Sequence, residues 1–331
     1  MSDADSSAQD ARHEDALGRL IHAAGRRPLP TAAEYERVRL AAHSAWQRKV
    51  RGRRRRFAWA ALAAGGALAA VIVASTMRSV PPVAVAELTV ARDAVELFPP
   101  GGGSWQTLAA GARIAAGSRL RTSPQGGAAF LLNGIALRAS AASEWTFDDA
   151  TLVTLADGAL YVDTGIAARA KGELEIATPH GIVRHVGTQY EVRASSSEVR
   201  VRVREGRVEV RDSTGSSHEA PAGRELLLEA DGDASQRPFA PDAPEWRWAE
   251  ALAAPIELDG GSVFDALQWI ARETGKRLIF EDSNAELLAR NAILHGDGAG
   301  LEPLQVLEIV MLTSSGLDYA LGDGTLLVRR R

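Results

Sequence analysis

The 331-residue chain has no cysteine, which removes disulfides, thiolate nucleophiles and thiolate metal sites together. This absence leaves the compartment open, because an exported domain of more than about 80 residues buries enough core to stand without disulfides. Its seven histidines are scattered. His180 and His185 are the nearest pair, and on a strand they would face opposite sides, with no carboxylate cluster beside them to complete a metal site. The run Gly101-Gly102-Gly103-Ser104 lacks the Lys-Ser/Thr ending of a phosphate loop. No Gly-x-Ser-x-Gly elbow appears, and the neighbours Asp148 and Asp149, or Glu281 and Asp282, are of a kind common on any surface. Nothing here points to an enzyme, a cofactor or a metal. Long apolar runs are also missing, with one exception.

That exception is residues 57–77, Phe57 to Met77, which carry no charge and are long enough to cross about 30 Å of hydrocarbon as a helix. Arg48, Lys49, Arg51, Arg53, Arg54, Arg55 and Arg56 precede it and only Arg78 follows at once, so the positive-inside bias sets the N-terminus in the cytoplasm. The remainder is then expected in the periplasm of a double-membrane bacterium, as a single-pass inner-membrane protein. Charge divides the same way. Residues 1–56 hold 13 basic against 7 acidic side chains, while the whole chain has a net charge of -4. The alternatives are a cleaved export signal, from the Arg54-Arg55-Arg56-Phe57 run and Ala84-Val85-Ala86, and a nucleic-acid patch, which the adjoining apolar stretch makes unnecessary.

The expected class is multidomain: a short α-helical cytoplasmic head over 1–56, a transmembrane helix over 57–77, a linker over 78–86, an all-β domain over 87–230, a second linker over 231–245 and an α+β module over 246–331. In the head, Leu17, Leu20 and Ile21 share one helical face and Tyr35, Val38 and Trp46 another, with a break from Gly25 to Pro30. So small a segment cannot cover both faces by itself, which marks these six as candidate partner-binding residues.

From Glu87 the hydrophobic period becomes two. Val199, Val201 and Val203 alternate with Arg200, Arg202 and Arg204, Glu205-Gly206 reads as a turn, and Val208 and Val210 continue, which together predict a half-buried hairpin. Its arginines read as a solvated strand face, with a binding stripe for an acidic partner as the alternative. After Trp246 the spacing predicts βαβ-βαββ. Strands fall at Pro255–Leu258, Leu278–Phe280, Ala292–Leu294, Leu317–Leu321 and Thr325–Val328, one helix runs from an N-cap at Ser262 to Gly275, and a second runs from Pro303 to Gly316.

Gly187-Thr188-Gln189-Tyr190-Glu191-Val192, then Val203-Arg204-Glu205-Gly206-Arg207-Val208-Glu209-Val210 and Ala222-Gly223-Arg224-Glu225, resemble in order the motifs of FecR-type (iron-dicitrate sensor) regulators over about residues 115–228. Within them Gly187, Thr188, Tyr190, Val192, Glu205, Gly206, Val208 and Gly223 read as structural, the glycines serving turns and close approach. The C-terminal module, with Trp269-Ile270-Ala271-Arg272-Glu273-Thr274-Gly275, resembles the short N-terminal domain of secretins and TonB-dependent receptors. The resemblance implies a transmembrane anti-sigma regulator whose head binds an extracytoplasmic-function sigma factor and whose C-terminal module meets the signalling domain of a TonB-dependent outer-membrane receptor, with no direct nucleic-acid contact. The alternative is a tethered periplasmic binding or scaffold protein without a sigma-factor partner. The head departs from the family pattern, which has an early tryptophan and a later Trp-Leu pair; only Ala45-Trp46 is similar.

Overall fold

The computed structural model describes residues 83–165 and 174–331, with residues 18, 19, 22, 23, 31, 33, 36 and 37 and excepting the side chains of 186 and 188. Two compact units divide the chain, Met1–Val80 and Pro81–Arg331. The second begins with fifteen strands in one continuous sheet. They are β1 (Ala84–Arg92), β2 (Val95–Phe98), β3 (Gln106–Thr107), β4 (Arg113–Ala115), β5 (Ser118–Thr122), β6 (Gly127–Leu132), β7 (Ile135–Ala139), β8 (Glu144–Phe147) and β9 (Leu152–Asp163), then β10 (Glu175–Thr178), β11 (Gly181–Ala194), β12 (Glu198–Asp212), β13 (Ser217–Pro221), β14 (Arg224–Glu229) and β15 (Ala234–Pro238). A single turn of helix, α1 (Arg247–Glu250), follows. The C-terminal module contains α2 (Val263–Thr274), β16 (Arg277–Phe280), α3 (Ser283–Asn291), α4 (Pro303–Thr313), β17 (Leu317–Gly322) and β18 (Thr325–Arg330), its sheet ordered β16-β18-β17.

This architecture corrects the expected class. The protein is predominantly β, and among the described residues no helix is long and apolar enough to cross a membrane, so the transmembrane helix is not seen, and of the expected α-helical head only the scattered residues 18, 19, 22, 23, 33, 36 and 37 are described as helix. Length and lack of charge state only that a stretch could enter a bilayer. Nine of the 21 residues of the 57–77 run are alanine, with Gly65 and Gly66 at its middle, which gives little apolar surface per residue. The 57–77 stretch and Leu17, Leu20, Ile21, Tyr35, Val38 and Trp46 lie outside the described residues.

Three long strands organise the β body. The first part of β11 pairs with β10 and the second, Gln189 to Ala194, with β9; the first part of β12 pairs with β14 and the second with β13. Between these parts both strands break register, so Val186 faces Arg207 while Tyr190 faces Val203. Gly187 (φ 58°) and Gly206 (φ 78°) sit at that level, in the left-handed region where only glycine is free of strain. The extra residues shift side-chain parity by one. Val199, Val201 and Val203 are buried before the bulge and Val208 and Val210 after it, so the core face is kept while the strand changes neighbours. Glu205-Gly206 is therefore a bulge inside a continuous 15-residue strand rather than the turn of a hairpin. An alternation interrupted by a glycine reads alike for both; the parity shift is what separates them.

Phe130, Trp145 and Phe147 meet edge to face in the core, with centroids 5.4 to 6.3 Å apart. The stretch expected as a second linker continues the sheet as β15 and buries Phe239, which packs with Tyr161 and with Trp246 just beyond the stretch. In the C-terminal module Ser262 caps α2, its Oγ accepting from the Asp265 amide at 3.1 Å, and Gly275 closes it. The expected strands at Pro255–Leu258 and Ala292–Leu294 are absent, apart from one bridge between Ser262 and Ile293. The helix α3 is an addition to the expected order. It buries only Ala285 and Ala289, too little apolar surface to show as a stripe in sequence.

Candidate functional site

The densest polar chemistry lies where the β body meets the segment leading into the C-terminal module. On β12 the valines point to the core, which turns Arg202 and Arg204 to the other face of the sheet. There they are buried, at 8% and 5% exposure, beneath the chain that follows β15. Arg202 donates from Nε to Glu225 at 2.6 Å and lies 4.4 Å from the Phe239 ring. Arg204 donates to the Pro241 carbonyl at 2.7 Å, to the Glu273 carbonyl at 2.7 Å and to Glu250 at 2.8 Å, its guanidinium stacked 4.6 Å from Trp246. From β7, Arg138 reaches the same place. It grips the Glu273 carboxylate with both Nη atoms, at 2.8 and 2.9 Å, donates to the Ala249 carbonyl at 2.8 Å and lies over Tyr161. Arg272 bonds Asp163 at the end of β9 and reaches Glu205 at 2.7 Å. Gln189 supplies the other Asp163 oxygen with a donor at 2.8 Å.

The end of α2 explains much of this arrangement. Its final carbonyls lack intrahelical partners and carry the negative end of the helix dipole, and Arg204 answers both by donating to the Glu273 carbonyl. Gly275 is required on two counts. Its φ is 66°, and a Cβ there would stand 2.0 Å from the Pro241 oxygen. Glycine lets the two backbones meet, so Arg204 can bridge them.

Taking ions from water costs several kcal/mol each, recovered only when every donor and acceptor is matched. Burial alone would lower the pKa of Arg138, but the charge and hydrogen bonds of Glu273 outweigh it and hold the guanidinium ionised. For Asp163 burial pushes upward and is outweighed by Arg272 and Gln189, so this carboxyl titrates below the ordinary range. Glu250 goes the other way: burial dominates over Arg204 and its pKa is raised. Burial also raises the Tyr161 phenol. A groove of about 520 Å³ opens along this seam, lined among others by Gln189, Arg204, Glu205, Arg272, Gly275 and Lys276.

The arginine row on β12, read as a solvated face, is thus the opposite in its first half: a binding stripe whose acidic partners are supplied by the same chain. Of the motif residues, Gly187 and Gly206 form the paired bulge; Tyr190, Val192 and Val208 lie in the core; Gly223 turns at φ 79° between β13 and β14; Glu205 is exposed and holds Arg272; and Thr188 stands on β11. The head candidates Leu17, Leu20, Ile21, Tyr35, Val38 and Trp46 fall outside the described residues. Arg138, Tyr161, Asp163, Trp246, Arg272 and Glu273 were not singled out as site residues from sequence. Two signals were present: an arginine inside the apolar run Ile135 to Ala139, and Trp246 and Trp248 directly after the stretch 231–245 read as a linker.

Residues 116–209 match the family model for FecR protein. The chain carries a FecR domain. The match spans β12 as far as Glu209, so Arg138, Tyr161, Asp163, Gln189 and Arg204 all belong to the FecR segment, and Glu250, Arg272 and Glu273 reach it from outside. Two crystal structures, at 2.50 and 1.65 Å resolution, of a proposed anti-sigma factor from Parabacteroides distasonis are similar to this chain at 14% identity. They cover 64% of it and 98% and 99% of their own chains, with TM-scores of 0.34 and 0.35. No curated protein matches it.

Proposed function

We propose that this FecR-domain chain regulates a sigma factor, passing a signal received at its C-terminal module through the FecR domain, and that it acts by binding rather than by catalysis. The observation that carries the reading is the seam. Arg138, Asp163 and Arg204, which hold Arg272 and Glu273 in the last turn of α2, belong to the FecR segment itself, so a force or ligand acting on α2 acts on β7, β9 and β12. In the finer reading the target is an extracytoplasmic-function sigma factor, the signal comes from a TonB-dependent outer-membrane receptor, and the FecR domain works in the periplasm at the inner membrane. Support for the compartment is the basic run Arg48 to Arg56 ahead of an uncharged stretch. The head residues Leu17, Leu20, Ile21, Tyr35, Val38 and Trp46 are the proposed contacts to the sigma factor.

The test is co-purification of the full chain with the sigma factor encoded beside it, together with a reporter for that factor's promoter in a strain lacking the chain. Association that weakens with Trp46→Ala and Leu20→Ala, and a changed reporter on deletion, are expected. No association and an unchanged reporter would favour a scaffold without a sigma-factor partner.

A further inference from the structure

Among the described residues the C-terminal sheet ends on one side at β16, which there pairs only with β18. The parallel pairing takes the amides of Arg277 and Glu281, which donate to the carbonyls of Gly324 and Val328, each at 2.9 Å. Backbone groups alternate along a strand, so Ile279 turns toward β18 as well, and Leu278 and Phe280 direct their amides and carbonyls to the open edge. Beside that edge lies a groove of about 340 Å³ between α2 and α3. It is lined by Phe264, Gln268, Ala271, Leu278, Phe280 and Glu286. Phe264 and Phe280 stack at 5.8 Å and form its floor, and Arg290 lies 3.5 Å from the Phe264 ring.

An open strand edge and an apolar groove next to it ask for a particular occupant. A helix cannot satisfy the edge, because its amides and carbonyls are used internally. An extended segment can: its backbone pairs with Leu278 and Phe280 while every second side chain drops into the groove. We propose that the free edge of β16 and this groove form a strand-addition site for an extended, alternately apolar segment of a partner protein. The inference rests on the reading of the C-terminal module as the receiving end, and it names how that end would grip.

The test uses the full chain, labelled for residue-resolved amide exchange, and a capped heptapeptide of alternating threonine and valine with a central leucine. At millimolar peptide, exchange at Leu278 and Phe280 should slow about tenfold while Ile279, already bonded to β18, stays unchanged. Gln268→Trp, at an exposed position on the groove rim, should abolish the slowing with the melting temperature preserved; Leu312→Ser, on the outward face of α4, should not affect it. Unchanged exchange at both amides, insensitivity to Gln268→Trp, or changes that map to Leu304, Ile309 and Leu312 would overturn the site. Slowing without peptide that grows with chain concentration would make the occupant a second copy and overturn the partner assignment. No sigma factor enters this measurement, so its failure is distinct from failure of the regulatory reading.

Discussion

The two halves of β12 both alternate valine with charged side chains, arginine in the first and arginine and Glu209 in the second, and have opposite fates. Before the bulge, Arg202 and Arg204 are buried, stacked on Phe239 and Trp246 and hydrogen-bonded; after it, Arg207 is 56% exposed and pairs at 3.0 Å with an equally exposed Glu219. Periodicity decides which face a side chain takes. It does not decide whether that face meets water, because the covering segment, from Phe239 through Trp246 to Glu250, comes from more than thirty residues later in the chain.

The largest expected effect is at Arg204. Arg204→Ala leaves Glu250 and the last carbonyls of α2 facing an empty place in the seam, and breaking one side of a buried ion pair typically costs about 3–5 kcal/mol. Denaturant unfolding of the full chain should show that loss. Arg138→Ala strands the Glu273 carboxylate in the same way. Replacing both partners, with Arg138→Met and Glu273→Leu, should recover most of the stability, since a matched apolar pair removes the desolvation cost along with the attraction. If the double variant is no better than the single one, the pair does more than stabilise, and the seam depends on its charge.

A smaller effect, from the backbone rather than from charge, separates two glycines. Gly275→Ala places a Cβ against the Pro241 oxygen in a left-handed conformation, and a loss of about 2 kcal/mol or more is expected. At Gly187 nothing lies within 4 Å of the added Cβ, so Gly187→Ala should cost only the conformational strain, about 1 kcal/mol. Equal losses in thermal melts would mean that the close approach at Gly275 relaxes.

These contrasts show what was legible in the sequence. The strand content, the core valines, Ser262 as a cap, Gly275 as a helix end and the family motifs could all be read from it, because each depends on neighbours within a few residues. The continuity of β12 was misread because a bulge and a turn share the same local glycine. The seam was not readable, because Arg138 and Glu273 are 135 positions apart and no local period links them. What remained visible was a pair of anomalies: a charged residue in an apolar strand, and two tryptophans directly after the expected linker.

Acid should loosen the seam in a way that two carboxyls oppose. Asp163 titrates below its ordinary value in the folded protein, so its contribution is complete above about pH 4 and is lost as pH falls toward the depressed value. Glu250 titrates above its ordinary value, so its ionisation costs stability, and protonation relieves that cost as pH falls through the raised value to the ordinary carboxyl range, before the Asp163 contribution begins to be lost. Glu250→Gln removes the relief. Unfolding free energy followed from pH 7 to pH 3 should therefore drop more steeply in that variant than in the natural chain. An unchanged slope would mean that Glu250 is not strained by its burial.

The smallest effect is the one that most sharpens the comparison. Arg207→Ala removes an arginine from the same strand, three residues from Arg204 and in the same sequence pattern. Its pair with Glu219 is held in water on both sides, where Coulomb attraction is weak and the cost of ordering two long side chains offsets most of it. The expected change in unfolding free energy is within about 0.5 kcal/mol, against several for Arg204→Ala measured alongside. Raising the salt concentration should shrink even that, because exposed pairs are screened, while the Arg204 difference persists inside the seam. A loss at Arg207 approaching that at Arg204 would show that the second half of β12 is also covered, by a surface that the described residues do not contain, and the contrast between the two halves would then disappear.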